Sequence, residues 1–190
     1  MIFREYNKGS IFILLLLVIT TLCSCKNSDQ LNKKEELIVE ANSFMNKSIQ
    51  FAPLFHGHSN SLDLALWNRG NKIILYIDSL DCTSCTFNEI RRWNSYNKEL
   101  ERLNTCIVII CNSSDVKSIN KVKEDMHLNY PIFLDTNQQF KLLNNISQKQ
   151  MFQTFVVGSR NQVIWVGLPI RSEKTWKAFS AMIDLINIQK

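Results

Sequence analysis

The chain has 190 residues but only 5 Gly and 3 Pro, which excludes a collagen-like protein. Hydrophobic residues make up 45% of the chain and charged residues 21%, a balance that argues against disorder and against a coiled coil. The sequence also lacks internal repeats and low-complexity segments. Its length allows one domain of ordinary size and leaves little room for a second.

A strong charge of one sign is lacking as well. The 22 basic and 17 acidic residues give a net charge of +5, and the basic residues are scattered rather than gathered in a stripe. We therefore predict no nucleic-acid partner. Asn is abundant, at about one residue in ten. Together with the many Ile and Lys residues, this indicates an AT-rich genome rather than a function.

The apolar run Ile11–Leu22 has 12 residues, whereas a helix needs about 20 to span a bilayer. It follows the basic residues Arg4 and Lys8, an order that is typical of a bacterial export signal. The run ends in Leu22-Cys23-Ser24-Cys25, which resembles the lipobox of bacterial lipoproteins.

This resemblance implies that residues 1–24 are removed as a signal peptide and that Cys25 is lipidated, anchoring the protein to a membrane of the cell envelope. The alternative is a soluble secreted protein. Removal of the leader lowers the net charge to +4. Residues 25–48 are expected to be a tether with an N-terminal helix over Leu31–Met45, and residues 49–190 a folded domain in the periplasm or at the surface.

Within that domain the periodicity predicts strands alternating with amphipathic helices, followed by a hairpin and a last helix capped by Ser172. A further short strand is expected over Ile49–Phe55. The fold class is therefore α/β, with a mixed central sheet covered by helices on both faces. The five main strands are predicted at Lys72–Asp78, Cys106–Cys111, Tyr130–Asp135, Gln153–Val157 and Gln162–Val166.

The motif Cys82-Thr83-Ser84-Cys85 lies between a buried strand and a long amphipathic helix. Unpaired N–H groups and the dipole at a helix N-terminus stabilise negative charge, so Cys82 is expected to be the thiolate that attacks disulfides. Cys85, one turn further on, is expected to be the resolving thiol. The alternatives are a structural disulfide or half of a metal site.

The order of elements and the segment from Tyr76 to Cys85 resemble the thioredoxin-like family. Tyr130–Asp135 and Thr154–Ile164 are similar to segments of its TlpA and peroxiredoxin-like branch, and the end Gly167-Leu168-Pro169-Ile170 is similar to thioredoxin-like lipoproteins of Bacteroidetes. The resemblance implies a thioredoxin-like fold and thiol–disulfide exchange without a cofactor. It also implies that Thr83, Ser84, Phe152 and Gln153 contact the substrate.

Some positions depart from the family pattern. Phe152-Gln153 stands where the family usually has a cis-proline, and we expect a trans bond there because a non-proline cis bond costs about 2.5–4 kcal/mol. Tyr76 occupies the position of the buried acid of thioredoxin. Asp81, beside Cys82, opposes thiolate formation.

Other candidate ligands have simpler interpretations. Cys106 and Cys111 fall on opposite faces of a strand, about 16 Å apart if extended, so we predict buried apolar cysteines rather than a disulfide or metal ligands. His56 and His58 form an H-x-H pair that, with the Cys82/Cys85 pair, would suit copper, but solvated loop histidines are the more usual interpretation. We predict no metal.

The sequence thus predicts a membrane-anchored thiol–disulfide oxidoreductase that exchanges with other envelope proteins carrying cysteines or disulfides. Because the periplasm is oxidising, a reducing role requires a membrane electron donor. Two alternatives stay open: a redox-inactive binding module that keeps the fold, and a copper carrier.

Overall fold

The computed structural model describes residues 31–55, 70–78, 90–113, 115–125 and 127–188. Chain contacts divide the molecule into two compact units, Met1–Ser43 and Phe44–Lys190. The described part of the first unit is helical, and this helix, α1, covers residues 31–44. Among the helices in the described ranges, none combines the length and the apolar character needed to cross a bilayer.

The second unit contains a five-stranded mixed sheet in the order β3-β2-β1-β4-β5. Strands β1, β2 and β3 run parallel, β4 is antiparallel to β1, and β5 is antiparallel to β4. This is the mixed sheet that the sequence predicts. The strands are β1 (Asn71–Ile77), β2 (Thr105–Cys111), β3 (Ile132–Leu134), β4 (Thr154–Val157) and β5 (Val163–Val166).

Every residue of β1 and β2 is buried, as their continuous apolar runs require of central strands covered on both faces. Alternate side chains enter two hydrophobic clusters. Ile73 and Ile107 pack on one face with Trp93 and Phe179. Ile74 and Val108 pack on the other face with aromatic residues that include Phe51, Phe140 and Phe155.

Four further α-helices lie entirely within the described ranges and pack around the sheet: α2 (Asn97–Arg102), α3 (Val116–Asp125), α4 (Gln139–Asn144) and α5 (Glu173–Ile188). The Ser172 Oγ accepts a hydrogen bond from the Thr175 N–H at 3.1 Å, which is the predicted cap of α5. Phe179 and Ile183 of α5 are fully buried against the sheet.

Two sequence-based expectations are wrong in detail. The strand expected over Ile49–Phe55 is a 3₁₀ turn, Ala52–Phe55, because Pro53 lacks the N–H that a strand ladder needs. The long amphipathic helix expected after the motif is interrupted by a 3₁₀ turn at Trp93–Tyr96 before α2 begins.

Asparagine has a structural use in this glycine-poor chain. Seven non-glycine residues of the described ranges have positive φ, and five of them are Asn. The short amide side chain lets Asn adopt the left-handed region at lower cost than most residues. The five are Asn46, Asn104, Asn137, Asn145 and Asn161.

Candidate functional site

The carboxyl ends of β1, β2 and β3 meet at one edge of the sheet, because these strands are parallel. Strand β4 runs the other way and therefore begins at this same edge, with Thr154 beside Leu75. The residue before it, Gln153, accepts a hydrogen bond at its carbonyl oxygen from the Tyr76 N–H at 2.9 Å. Two of the four residues predicted to contact substrate, Phe152 and Gln153, thus lie next to the end of β1.

A cleft of about 910 Å³ opens at this edge. Its apolar wall includes the indoles of Trp93 and Trp165 and the half-exposed Met151. Sequence analysis did not single out these three residues as site residues, since their partners come from distant segments. The polar lining residues include Asp78, Arg92, Gln153, Thr154 and Arg171.

The predicted reactive residues Cys82 and Cys85, the two residues between them, and the lipidation site Cys25 lie outside the described residues. The described residues nearest to the motif on either side both lie at the cleft. Asp78, the last before it, and Ile90, the first after it, both line the cleft. The cleft therefore borders both ends of the segment that carries the motif.

Phe152 and Gln153 differ in their relation to the cleft. The Gln153 side chain lines it, and the Gln153 Nε2 donates to the Ser147 carbonyl at 3.4 Å. Phe152 is buried, with 5% of its surface exposed. The peptide bond between the two residues is trans, as the sequence predicts.

A buried carboxylate, Asp135, lies against Tyr76. The Tyr76 hydroxyl donates to Asp135 Oδ2 at 2.8 Å, and the backbone N–H groups of Phe140 and Lys141 donate to the two carboxylate oxygens at 2.7 and 3.0 Å. Burial first, and the Asp135 carboxylate second, raise the pKa of Tyr76 well above its usual value.

An ion pair holds Asp78 at the cleft. The Lys141 Nζ lies 2.5 Å from Asp78 Oδ2, and the lysine side chain is only 9% exposed. The backbone of Asp78 is fixed as well, because the Asn112 Nδ2 donates to the Asp78 carbonyl at 2.8 Å and the Asn112 N–H donates to the Ile77 carbonyl at 2.8 Å. The chain thus enters the motif segment from a firmly held residue.

Sequence analysis missed Asp135 and Lys141. A usable signal existed for Asp135, since an acidic residue that ends an apolar strand just before a helix often accepts the first N–H groups of that helix. No comparable signal exists for Lys141, because its partner Asp78 is 63 residues away in the sequence.

The two remaining described cysteines are buried on opposite faces of β2, as predicted. Burial raises the pKa of the Cys111 thiol to about 12, so this thiol is protonated and unreactive at neutral pH. Among the described residues, no three His, Cys, Asp or Glu side chains form a group that could hold a metal ion. The His56/His58 pair lies outside the described ranges.

A family model described as the AhpC/TSA family matches residues 41–166. No curated protein sequence matches the chain. Among solved structures, a yeast mitochondrial 1-Cys peroxiredoxin is 15% identical, covers 76% of this chain and 76% of its own, and has a TM-score of 0.50. The thioredoxin domain of a thiol-disulfide oxidoreductase from Bacteroides vulgatus is 10% identical, covers 63% of this chain and 84% of its own, and also has a TM-score of 0.50. These similarities confirm the predicted thioredoxin-like fold.

Proposed function

The chain belongs to the AhpC/TSA family, and from this premise we propose that it is a thiol–disulfide oxidoreductase whose reactive pair is Cys82 and Cys85. One observation carries the proposal: the described residues on both sides of the motif, Asp78 and Ile90, line a cleft at the carboxyl end of the central strand. Ligands of open parallel sheets bind outside this end of the strands.

The reaction needs no cofactor. The Cys82 thiolate attacks one sulfur of a disulfide in a partner protein, that bond breaks, and a mixed disulfide forms while the released partner thiolate takes up a proton. Cys85 then loses its proton and attacks the Cys82 sulfur. This step closes the Cys82–Cys85 disulfide and releases the second partner thiol, so two electrons pass to the partner.

The cleft supplies the contacts for the partner protein. Its lining combines the partly exposed Trp165 with the polar residues Gln153 and Thr154. Such a mixture suits a polypeptide segment around a cysteine better than a small ion. Thr83 and Ser84, between the cysteines, complete the proposed contact set, whereas Phe152 is buried beside Gln153.

The proposed location is the cell envelope. The leader of residues 1–24 and the lipobox-like sequence at Cys25 support a lipid-anchored protein of the type found in Bacteroidetes, with a tether over residues 25–48 and the catalytic domain over residues 49–190. Its partners would be envelope proteins with cysteines or disulfides. Because that compartment favours the disulfide form, a reducing role needs an electron donor in the membrane.

Alkylation of the full chain in graded redox buffers tests the proposal, with each cysteine followed by peptide mass spectrometry. We expect Cys82 and Cys85 to become reactive together, in one reversible two-electron transition. Cys111 should stay unmodified until the protein is unfolded, because its thiol is buried and protonated. Cys82→Ser should abolish the transition, and the matched control Cys106→Ala should leave it in place.

A pair that stays unreactive in every buffer would contradict the proposal and favour a redox-inactive binding module. Tight uptake of Cu(I) that requires Cys82 and Cys85 would favour the copper carrier instead. A parallel experiment uses hydrogen peroxide as the oxidant. If the pair exchanges with protein disulfides, a disulfide substrate should oxidise Cys82 faster than peroxide does.

A further inference from the structure

Two exposed arginine residues, Arg92 and Arg171, line the cleft. Arg92 precedes the 3₁₀ turn at Trp93–Tyr96, and Arg171 ends a second 3₁₀ turn, Pro169–Arg171. The Arg92 Nη2 donates a long hydrogen bond of 3.5 Å to the carbonyl of Ile170, the residue before Arg171. The Arg92 guanidinium therefore lies beside the backbone that carries Arg171.

The charge of these arginines is not balanced within the described part of the cleft. Asp78 is the only acidic residue among the described residues that line it, and its carboxylate is paired with the Lys141 ammonium at 2.5 Å. The ion pairs of the described residues include neither Arg92 nor Arg171. The described lining therefore carries two positive charges that attract an anion.

The cleft also offers an apolar surface that is already in place. The Trp165 Nε1 donates to the Gly167 carbonyl at 3.1 Å, and the indole ring packs edge to face with Phe179 at a centroid distance of 5.7 Å. The partly exposed indole is therefore held in one orientation. Met151 is 45% exposed, and its flexible side chain adapts to different apolar partners. A small inorganic anion would leave this apolar surface uncovered.

We propose that Arg92 and Arg171 select partner proteins that carry an acidic side chain and an apolar side chain close to the disulfide to be exchanged. The inference rests on the proposed function and names its substrate class. A guanidinium binds a carboxylate through two parallel hydrogen bonds, so each arginine supplies orientation as well as attraction. The apolar side chain of the same segment packs on Trp165 and Met151. Such charge complementarity speeds the encounter and disfavours basic partners.

Binding of synthetic peptides to the full chain tests the inference without a redox step. Three labelled peptides have a serine in place of the cysteine and share one leucine, and they differ only in two flanking residues, which are Glu, Gln or Lys. Fluorescence anisotropy should show the tightest binding for the Glu peptide and the weakest for the Lys peptide. An exposed ion pair changes affinity about twofold to fivefold, so Arg92→Gln and Arg171→Gln should each reduce the preference for Glu over Gln by about this factor.

Salt provides a second signature of the same contacts. Exposed charges are screened as the ionic strength rises, so the preference for the Glu peptide should fall steeply between about 0.01 M and about 1 M NaCl. Binding of the Gln peptide should depend much less on salt. In the double variant Arg92→Gln/Arg171→Gln, the Glu and Gln peptides should respond alike.

Arg160→Gln is the matched control. Arg160 is exposed and lies in the hairpin between β4 and β5, at the end of β1 opposite the cleft. Its replacement lowers the net charge of the chain as much as either cleft variant does, yet it should leave the preference intact. Arg92→Lys and Arg171→Lys keep the charge and should retain part of the preference, which separates the charge from a change in folding.

Exchange is measured with the same peptides carrying cysteine as a methyl disulfide, so that each turnover yields the peptide thiol and methanethiol. The Glu peptide should oxidise the reduced protein faster than the Lys peptide, and the double variant should remove the difference. Glutathione disulfide is a small anionic disulfide, and faster oxidation by it than by the Glu peptide would overturn the assignment to partner proteins.

The binding and exchange experiments separate the two proposals. Equal binding of the three peptides, or a Glu preference that survives the loss of both arginines, would overturn this inference even where exchange proceeds. A Glu preference that depends on the arginines, without any exchange, would refute the proposed function and support the acidic preference of the cleft.

Discussion

The two ends of the β1–β2 strand pair bury polar groups of different kinds. At the amino ends the uncharged Asn71 and Thr105 are fully buried and interact with Asn187 and the Leu103 carbonyl, and the buried charged side chain is a lysine, Lys72. At the carboxyl ends a carboxylate, Asp135, is buried together with a lysine, Lys141.

The difference supports the proposal that the carboxyl ends carry the chemistry. The Thr105 hydroxyl and the Asn187 amide both donate to the Leu103 carbonyl at the amino ends, and such uncharged groups cost little to bury once they are bonded. The Asp135 carboxylate at the carboxyl ends costs more to bury, and apolar residues would fill the same space at lower cost. Buried charges beside a cleft are the common arrangement of a functional site.

The largest expected effect is the loss of the Asp135 carboxylate. Asp135→Ala should lower the free energy of unfolding by about 3 kcal/mol, because three buried donors lose their acceptor at once. Urea unfolding at pH 7 measures this loss. Asp135→Asn keeps the shape and an acceptor oxygen, so it should cost about half as much. Equal, small losses of stability in both variants would show that the buried carboxylate at the carboxyl ends matters no more than the uncharged groups at the amino ends.

The Tyr76 hydroxyl gives the next effect. Tyr76→Phe should cost about 1–2 kcal/mol at pH 8, because Asp135 loses one donor. The pKa of Tyr76 is raised in the folded protein, so its contribution is complete below the ordinary tyrosine value of about 10 and is lost as the pH rises above it.

The difference in stability between wild type and Tyr76→Phe should therefore shrink from pH 8 to pH 10.5 in urea unfolding experiments. Tyr130 and Cys111, whose pKa values burial also raises, are present in both proteins and cancel in the comparison. A difference that stays constant over this range would mean that Tyr76 ionises as easily in the folded chain as in the unfolded one.

The smallest effect is expected for an uncharged group at the amino ends of β1 and β2. Thr105→Val should change the free energy of unfolding by about 0.5 kcal/mol or less, since the Leu103 carbonyl keeps its bond from the Asn187 Nδ2 at 3.0 Å. Thermal unfolding of the variant beside wild type gives the measurement. A loss as large as that of Asp135→Ala would remove the contrast between the two ends.

Much of the fold could be predicted from local patterns. The apolar runs of β1 and β2, the Ser172 cap and the hairpin of the last two strands can all be predicted from neighbouring residues. The structure has these elements within one or two residues of the prediction. The 3₁₀ turn at Ala52–Phe55 was missed, because a short apolar segment fits a strand as well as a turn until the effect of Pro53 is weighed.

The candidate site was less predictable, because its contacts join distant segments. Asp78 meets Lys141 across 63 residues and Tyr76 meets Asp135 across 59, and no periodicity encodes such pairs. Gln153 was placed near the site only through the family resemblance, and the structure places it in the lining of the cleft. Cys82, Cys85 and Cys25 stay predictions, since they lie outside the described residues.

The antiparallel pairing of β1 with β4 also governs when the sheet can be completed during synthesis. Ile73 is the register partner of Val156, which the ribosome adds 83 residues later. Until then β1 has no partner strand on the side where β4 later pairs. A nascent chain that ends before Thr154 therefore exposes the unpaired N–H and C=O groups of β1 to other polypeptides. The protein therefore completes its sheet only after β4 and β5 have been synthesised, and chains that end before β4 should be prone to aggregation and degradation.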